Sequence, residues 1–123
     1  MFQQGRALMK IGGYHSAINY FKKCLKIRPE FSSAWLLLGN SHKVLHNYDD
    51  AINAYEEAME HDPGSTKYRK YIADVYLVKG KEALYKDGEY RASIEFFDQT
   101  IRIIPNHVTA WFSKGVAYKK LGA

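Results

Sequence analysis

Histidine, cysteine and carboxylate side chains could carry chemistry in this chain, but none of them forms a catalytic motif. His42 and His46 stand four positions apart, a spacing at which two imidazoles on one helix can share a metal ion, yet no third ligand accompanies them. No glycine-rich phosphate loop, nucleophile elbow or HExxH motif occurs. The sequence therefore predicts neither an enzyme nor a bound cofactor.

The composition is that of an ordinary globular protein. Of its 123 residues, 46% are hydrophobic and 25% are charged, and no run approaches the roughly 18 apolar residues of a membrane span. The opening segment MFQQGRALMK lacks the apolar stretch of a secretion signal. The single cysteine, Cys24, cannot form an internal disulfide, which favours a reduced thiol and a cytoplasmic location.

The net charge of +5 is unevenly distributed along the chain. Residues 1–31 carry a net charge of +5 and residues 32–65 carry −5, while residues 66–107 and 108–123 are both basic. A basic chain permits an acidic partner or a nucleic acid. Because the basic residues are dispersed and several would face the acidic segment, a nucleic acid is the less favoured partner.

The chain repeats itself. The segment GRALMKIGGYHSAINYFKKCLKIRP at 5–29 recurs as KEALYKDGEYRASIEFFDQTIRIIP at 81–105, and the segment at 35–63 follows the same frame, with Pro29 and Pro63 closing successive copies. Within each copy the apolar residues recur at i, i+3 and i+4, the spacing of an amphipathic helix. The repeats are therefore predicted to be helical.

Residues 35–63 resemble the tetratricopeptide repeat (TPR). The resemblance rests on the following residues and spacing: Trp35-x2-Leu38-Gly39-x2-His42, then Ala51-x3-Tyr55-x2-Ala58, then Pro63. It implies an all-α fold, a right-handed α-solenoid of antiparallel helix pairs whose inner helices line a concave binding face. Small residues are expected where helices approach closely, at Ala17, Gly39, Ala51 and Gly115.

One domain over 1–123 is expected, with three hairpins and a closing helix. The repeats are 1–31, 32–65, 66–107 with an eight-residue insertion, and the closing helix 108–123. Helices are predicted at 2–11, 15–28, 32–45, 49–61, 65–87, 90–103 and 107–121.

The third repeat is irregular because it is longer than the others. Pro63 and Pro105 are eight positions farther apart than Pro29 and Pro63. Two registers compete, one counted forward from Pro63 and one counted back from Pro105. The surplus predicts a lengthened helix in which Gly80→Ala would be harmless. Three tyrosines of this region are expected at the surface, namely Tyr68, Tyr71 and Tyr85.

The resemblance also implies which side chains line the concave face. These are Arg6, Met9, Lys10, Leu36, Asn40, Lys43, Phe112, Val116 and Lys119, together with Tyr71 or Lys79 according to the register. Lysine and arginine pair with carboxylates, and an asparagine amide can both donate to and accept from a peptide backbone. An extended peptide of acidic character is therefore the expected ligand.

Family members that grip a chaperone C-terminus use a set of Lys and Asn residues on the inner helices. In this chain Phe2, Arg6 and Leu37 occupy the first three of those positions, so that clamp is not reproduced. The function implied by the resemblance is a protein–protein interaction scaffold. The alternatives are self-association, which includes a fragment of a longer repeat protein, and, less favoured, nucleic-acid binding.

Overall fold

A computed structural model describes residues 1–122, and the regular secondary structure in these residues is entirely helical. The all-α class predicted from the sequence is confirmed. The helices are α1 (Phe2–Lys10), α2 (Tyr14–Ile27), α3 (Ser32–Val44), α4 (Tyr48–His61), α5 (Lys67–Lys81), a π-helical segment (Glu82–Lys86), α6 (Tyr90–Ile103) and α7 (Val108–Leu121). Each predicted boundary lies within two positions of the observed one, if α5 and the π-helical segment are counted together.

The chain divides into two compact units, which are described separately. The first unit is Met1–Tyr68 and the second begins at Arg69. A single domain over 1–123 therefore stays a prediction.

In the first unit, α1 pairs with α2 and α3 pairs with α4, while α2 also packs against α3. Helices α1 and α3 are in contact with each other as well. The core of this unit is built from Phe21, Leu25 and Leu38 with small residues such as Ala17 and Ala34 between them. Alternating large and small side chains allow neighbouring helices to pack without voids.

The turn inside each helix pair uses one residue in the left-handed backbone region. These residues are Gly12 (φ 82°), His46 (φ 63°) and Gly88 (φ 67°). Glycine adopts this conformation freely, whereas His46 is supported by a 2.6 Å hydrogen bond between its Nδ1 and the Tyr48 hydroxyl. Because α3 ends at Val44, His46 lies in a turn and does not share a helix face with His42.

A glycine in the first helix of each pair lies beneath an aromatic ring of the second. A Cβ atom placed on Gly5 would lie 2.6 Å from the Phe21 ring, on Gly39 2.6 Å from the Tyr55 ring, and on Gly80 2.5 Å from the Phe97 ring. No side chain fits at such distances, so glycine is required for the close approach. We call each of these glycines a glycine seat and the ring above it the occupant.

The glycine seats settle the register of the third repeat. Gly80 lies farther from Pro63 than Gly39 lies from Pro29, and the excess is seven positions. Phe97 lies one position farther from its seat than the other occupants lie from theirs. Seven of the surplus residues thus precede Gly80 and one follows it. Seven residues add about 700°, close to two full turns, which keeps the apolar face of α5 in place.

The remaining surplus residue coincides with the π-helical segment Glu82–Lys86. A π-turn accommodates one additional residue within a helix, so the segment absorbs the insertion. The register counted back from Pro105 was therefore correct to within one position. The expectation that Gly80→Ala would be harmless is wrong, because the added methyl group would collide with Phe97.

The core of the second unit contains Phe97, Leu77 and Leu84, packed with Ala110 and Ala117 of α7. The Thr100 hydroxyl, which is fully buried, donates to the Ala73 carbonyl oxygen at 3.2 Å. This bond fixes α6 against α5 within the unit.

The three tyrosines expected at the surface differ in their exposure. Tyr71 and Tyr85 are exposed, as predicted. The prediction that Tyr68 lies at the surface is wrong, since only 1% of this residue is exposed and its hydroxyl donates to Asp62 Oδ2 at 3.3 Å. The lengthened α5 therefore buries its first tyrosine at the end of the first unit.

Candidate functional site

Helices α1 and α3 of the first unit carry six of the residues expected to line a binding face. Arg6 and Lys10 are exposed, whereas Met9, Leu36, Asn40 and Lys43 are partly buried. Met9 also packs against the core of the unit. Helices α1 and α3 are in contact with each other. We call the set of these six residues on the two neighbouring helices the α1/α3 face.

Asn40 is held in a fixed orientation on this face. The Tyr55 hydroxyl of α4 donates to Asn40 Oδ1 at 2.5 Å, and Tyr55 itself is fully buried as the occupant of the Gly39 seat. The carbonyl end of the amide is therefore engaged, which leaves the NH₂ end as the donor on the α1/α3 face. A buried neighbour that orients a polar group in this way reduces the entropy lost on binding.

The charges of the first unit are segregated by helix. Helices α1 and α3 contain Arg6, Lys10 and Lys43 and no acidic residue, whereas α4 is acidic along its length, with Asp49, Asp50, Glu56, Glu57 and Glu60. Helix α2 is also basic and presents Lys22, Lys23 and Lys26 around an open pocket. The α1/α3 face is thus one of two basic surfaces on this unit.

The second unit contains the remaining candidates. Phe112 is 70% exposed, and Lys119 and Tyr71 are also exposed. Val116 is partly buried against the core of the unit. The Lys79 ammonium group lies 4.7 Å from the centre of the Phe96 ring, so this lysine is directed toward α6.

Lys81 is a further candidate, which the sequence reasoning did not name. Asn40 follows its seat glycine directly, and the residue that directly follows the Gly80 seat is Lys81, which is exposed. Tyr71 and Lys79, the two candidates that the sequence suggested in α5, do not directly follow the seat glycine. The sequence does contain a signal for Lys81. Gly80 and Phe97 are only one position farther apart than the glycine and the ring in the other two repeats, which marks Gly80 as the seat and Lys81 as the residue after it.

His42 lies at a cleft of about 310 Å³ between α2, α3 and α4, lined also by Lys22, Trp35 and Asp50. Its Nδ1 is buried and has no hydrogen-bond partner among residues 1–122. Burial lowers the pKa of His42, an effect opposed by Asp50 and reinforced by Lys22. The imidazole is therefore neutral at pH 7, and no three potential metal ligands lie together in the described part of the chain.

Helix α7 repeats the sequence pattern of α3 but presents it to solvent. The Trp35 indole donates to the Pro29 carbonyl oxygen at 2.7 Å, and the Trp111 indole donates to the Pro105 carbonyl oxygen at 2.8 Å. Gly115 has the position that Gly39 has in α3, yet no described atom lies within 4 Å of a Cβ built on it. The expectation of a close helix approach at Gly115 is therefore wrong within residues 1–122.

Among the described helices, none has both the length and the apolar character that crossing a bilayer requires.

The fold and the glycine seats define a class of protein, the helical-hairpin repeat scaffold. More specifically, the chain belongs to the tetratricopeptide repeat family, whose models match residues 1–31 and residues 32–65, together more than half of its length. The resemblance that Trp35, Gly39, Tyr55 and Pro63 indicated is thereby confirmed.

Three known proteins illustrate the similarity. The small glutamine-rich tetratricopeptide repeat-containing protein 2 of Mycosarcoma maydis is 34% identical over 67 residues, which cover 54% of this chain and 19% of that protein. The crystal structure of MamA protein superimposes with a TM-score of 0.62 and 26% identity, over 98% of this chain and 62% of that one.

The first TPR of Spaghetti (RPAP3), solved bound to the HSP90 peptide SRMEEVD, has a TM-score of 0.59 and 16% identity, over 99% of this chain and 90% of that one. Its likeness concerns the fold alone. The chain spans 6% of the general transcriptional corepressor trfA of Dictyostelium discoideum and no more than a fifth of the other curated relatives named by the same comparison.

Proposed function

We propose that the chain is a non-enzymatic scaffold that binds an extended, acidic peptide segment of another protein on its α1/α3 face. The observation that carries this proposal is the Asn40 amide, which Tyr55 fixes by a 2.5 Å hydrogen bond on a pair of helices that carries three basic residues and no acidic one. An oriented amide donor suits a peptide carbonyl group, and the cations suit carboxylate side chains. The proposal includes a cytoplasmic location, which the unpaired, buried Cys24 favours.

Two features give the second unit a surface of the same character. Lys81 and Lys119 are exposed basic residues on helices that correspond to α1 and α3. Phe112, 70% exposed, adds an apolar surface for a peptide side chain. The peptide-bound Spaghetti structure supports the proposal at the level of the fold, since it is a protein of this fold solved with a peptide.

The sharpest variant is Asn40→Asp. An aspartate keeps an oxygen that accepts the Tyr55 hydroxyl, but it replaces the outward NH₂ donor by a negatively charged acceptor. The ligand would be selected from a phage-displayed library of random dodecamer peptides and then labelled with fluorescein for anisotropy titrations. We expect the selected peptides to be rich in Asp and Glu, and we expect Asn40→Asp with Lys43→Glu to weaken binding at least ~10-fold.

The matched control reverses two charges on the other basic surface, Lys22→Glu with Lys23→Glu on α2. This variant should change the dissociation constant by less than about twofold, because both lysines lie on another helix and exposed charges are screened by salt. Equal losses from both variants would show that diffuse electrostatics cause the binding, and a loss confined to the α2 variant would reject the α1/α3 face. Circular dichroism would verify that both variants remain folded.

A further inference from the structure

The cleft of about 310 Å³ between α2, α3 and α4 contains a polar group that the first unit does not satisfy. His42 of α3 lines the cleft and is 9% exposed, and its buried Nδ1 has no hydrogen-bond partner among residues 1–122. A buried polar atom that is left unpaired reduces stability, and a ligand that donates a hydrogen bond to the ring removes this cost. The cleft therefore has an unmet need that a ligand can fill.

One wall of the cleft is an acidic face of α4. Asp50, Asn53 and Glu57 all line the cleft, and their separations of three and four positions place them on one face of the helix. Two carboxylates thus flank an amide over about two helical turns. All three side chains offer oxygen acceptors, which suits a ligand rich in N–H donors.

The charged groups that line the cleft sum to a negative value. Lys22 of α2 contributes one positive charge, against the two carboxylates of α4. His42 adds no charge at pH 7, because burial lowers its pKa, an effect that Asp50 opposes and Lys22 reinforces. A neutral imidazole retains one nitrogen that accepts a hydrogen bond. The cleft therefore favours a cation that carries hydrogen-bond donors.

Trp35 of α3 adds an aromatic surface to the cleft. Its indole N–H donates to the Pro29 carbonyl oxygen at 2.7 Å, which fixes the ring within the first unit. A guanidinium group is planar, stacks on aromatic rings and carries five N–H donors, whereas an ammonium group is a compact point charge with three. The volume of about 310 Å³ is at the lower end of the range for ligand pockets and suits a single long side chain.

From these observations we propose that the cleft receives an arginine side chain from a basic segment of a partner protein. The guanidinium group pairs with the carboxylates of Asp50 and Glu57, donates to the His42 ring and stacks beside Trp35. This site does not depend on the α1/α3 face, which takes a ligand of the opposite charge. The first unit then has two binding sites that select segments of opposite charge.

The first test compares capped amino acids, so that only the side chain differs. N-acetyl-arginine amide is titrated into the intact, ¹⁵N-labelled chain, and binding is followed by NMR through the amide resonance of Asp50 and the ring resonances of His42. We expect it to bind at least ~3-fold more tightly than N-acetyl-lysine amide and at least ~10-fold more tightly than N-acetyl-citrulline amide, which has a similar shape without the charge. Equal binding of the arginine compound and either of the other two would overturn the proposal.

The second test removes the charges of the acidic wall. Asp50→Asn with Glu57→Gln keeps the size of both side chains and should weaken binding of N-acetyl-arginine amide at least ~10-fold. The matched control is Glu56→Gln with Glu60→Gln, which removes the same charge from two exposed residues of α4 that do not line the cleft. This control should change the dissociation constant by less than about twofold. Equal losses from both variants would overturn the cleft as the site, because the general charge of α4 would then cause the binding.

The third test fills the cleft. His42→Tyr introduces the larger ring that α7 carries at the corresponding position, Tyr118, and should weaken binding of N-acetyl-arginine amide at least ~10-fold. Circular dichroism would verify that this variant is folded, and the double variant at Asp50 and Glu57 tests the same cleft without a change in the core. Unaltered binding to a folded His42→Tyr variant would overturn the proposal.

Two further measurements identify the source of the guanidinium group. Free L-arginine should bind with an affinity similar to that of the capped compound, and much tighter binding would overturn the proposal of a partner protein, because the ligand would then be the amino acid itself. In sedimentation velocity over a concentration series we expect a monomer. A dimer that Asp50→Asn with Glu57→Gln converts to a monomer would also overturn it, because an arginine of a second copy of this chain would then be the occupant.

Discussion

Helices α3 and α7 carry the same pattern, a tryptophan bonded to the carbonyl of the preceding proline and a glycine one turn later, but only α3 is covered. Gly39 lies under Tyr55, whereas Gly115 faces open space in the described residues. The local pattern thus fixes how the tryptophan joins the preceding turn. Whether the face is core or surface depends on the next helix, which the pattern does not contain.

The largest difference between the two helices is expected from the same substitution at the two glycines. Gly39→Leu would place a side chain inside the Tyr55 ring and should lower the free energy of unfolding by about 3 kcal/mol or more. Gly115→Leu should be neutral or should raise it by up to ~1 kcal/mol, because leucine is the better helix former. Urea denaturation of both variants measures the contrast, and equal destabilisation would remove the distinction between a covered and an open seat.

The tryptophans should differ next. Trp35 is partly buried against the core of the first unit, so Trp35→Ala should lower the free energy of unfolding by ~3 kcal/mol. Trp111 is 51% exposed, so Trp111→Ala should lower it by only ~1 kcal/mol. Urea denaturation again provides the measurement. A loss below about 1 kcal/mol for Trp35→Ala would mean that the repeat frame of the first unit is misplaced.

Gly80 extends the comparison to the lengthened helix. Because its Cβ position lies 2.5 Å from the Phe97 ring, Gly80→Ala should lower the free energy of unfolding by about 1–2 kcal/mol despite the better helix propensity of alanine. The exposed Gly115→Ala change is the matched control and should not destabilise. Thermal denaturation of the two variants would decide, and a stabilised Gly80→Ala variant would contradict the register described for the third repeat.

The smallest expected effect is the pH dependence of stability. It arises from another difference between the two helices, because α3 has His42 at the position where α7 has Tyr118. Burial lowers the pKa of His42, so the unfolded chain takes up a proton at this residue more readily than the folded one. The free energy of unfolding should therefore fall as the pH drops below about 6.5, the usual histidine pKa. Relative to His42→Gln, the wild type should lose stability between about pH 7.5 and pH 5, and parallel pH profiles would contradict this.

The fold could be largely predicted from the sequence because its signals are local and repeated. The spacing of Ala51, Tyr55, Ala58 and Pro63 depends on contacts inside one hairpin, so the helix pairs and the family followed from it. The lengthened α5 was also predicted, since the surplus residues contain no turn signal. The π-helical segment was not, because a single inserted residue leaves no mark in the apolar pattern.

The candidate site could be predicted less completely, for physical reasons that particular residues make clear. Asn40 and Lys43 were named as candidates from the repeat frame and stay predictions, whereas the hydrogen bond that Asn40 accepts from Tyr55 could not be predicted because it depends on how α4 packs across α3. Lys81 was not named as a candidate because its position depends on the glycine seat in α5. Gly115 was expected to be packed because its sequence context equals that of the glycine in α3, and only the neighbouring atoms distinguish the two.

The most direct test of the difference between the two faces uses the two tryptophans, which are the only ones in the chain. Trp111→Phe leaves Trp35 as the reporter on α3, and Trp35→Phe leaves Trp111 as the reporter on α7. Acrylamide should quench the fluorescence of Trp111, which is 51% exposed, more strongly than that of the partly buried Trp35. Equal quenching of both tryptophans, or stronger quenching of Trp35, would contradict a covered face on α3 and an open one on α7 within the described residues.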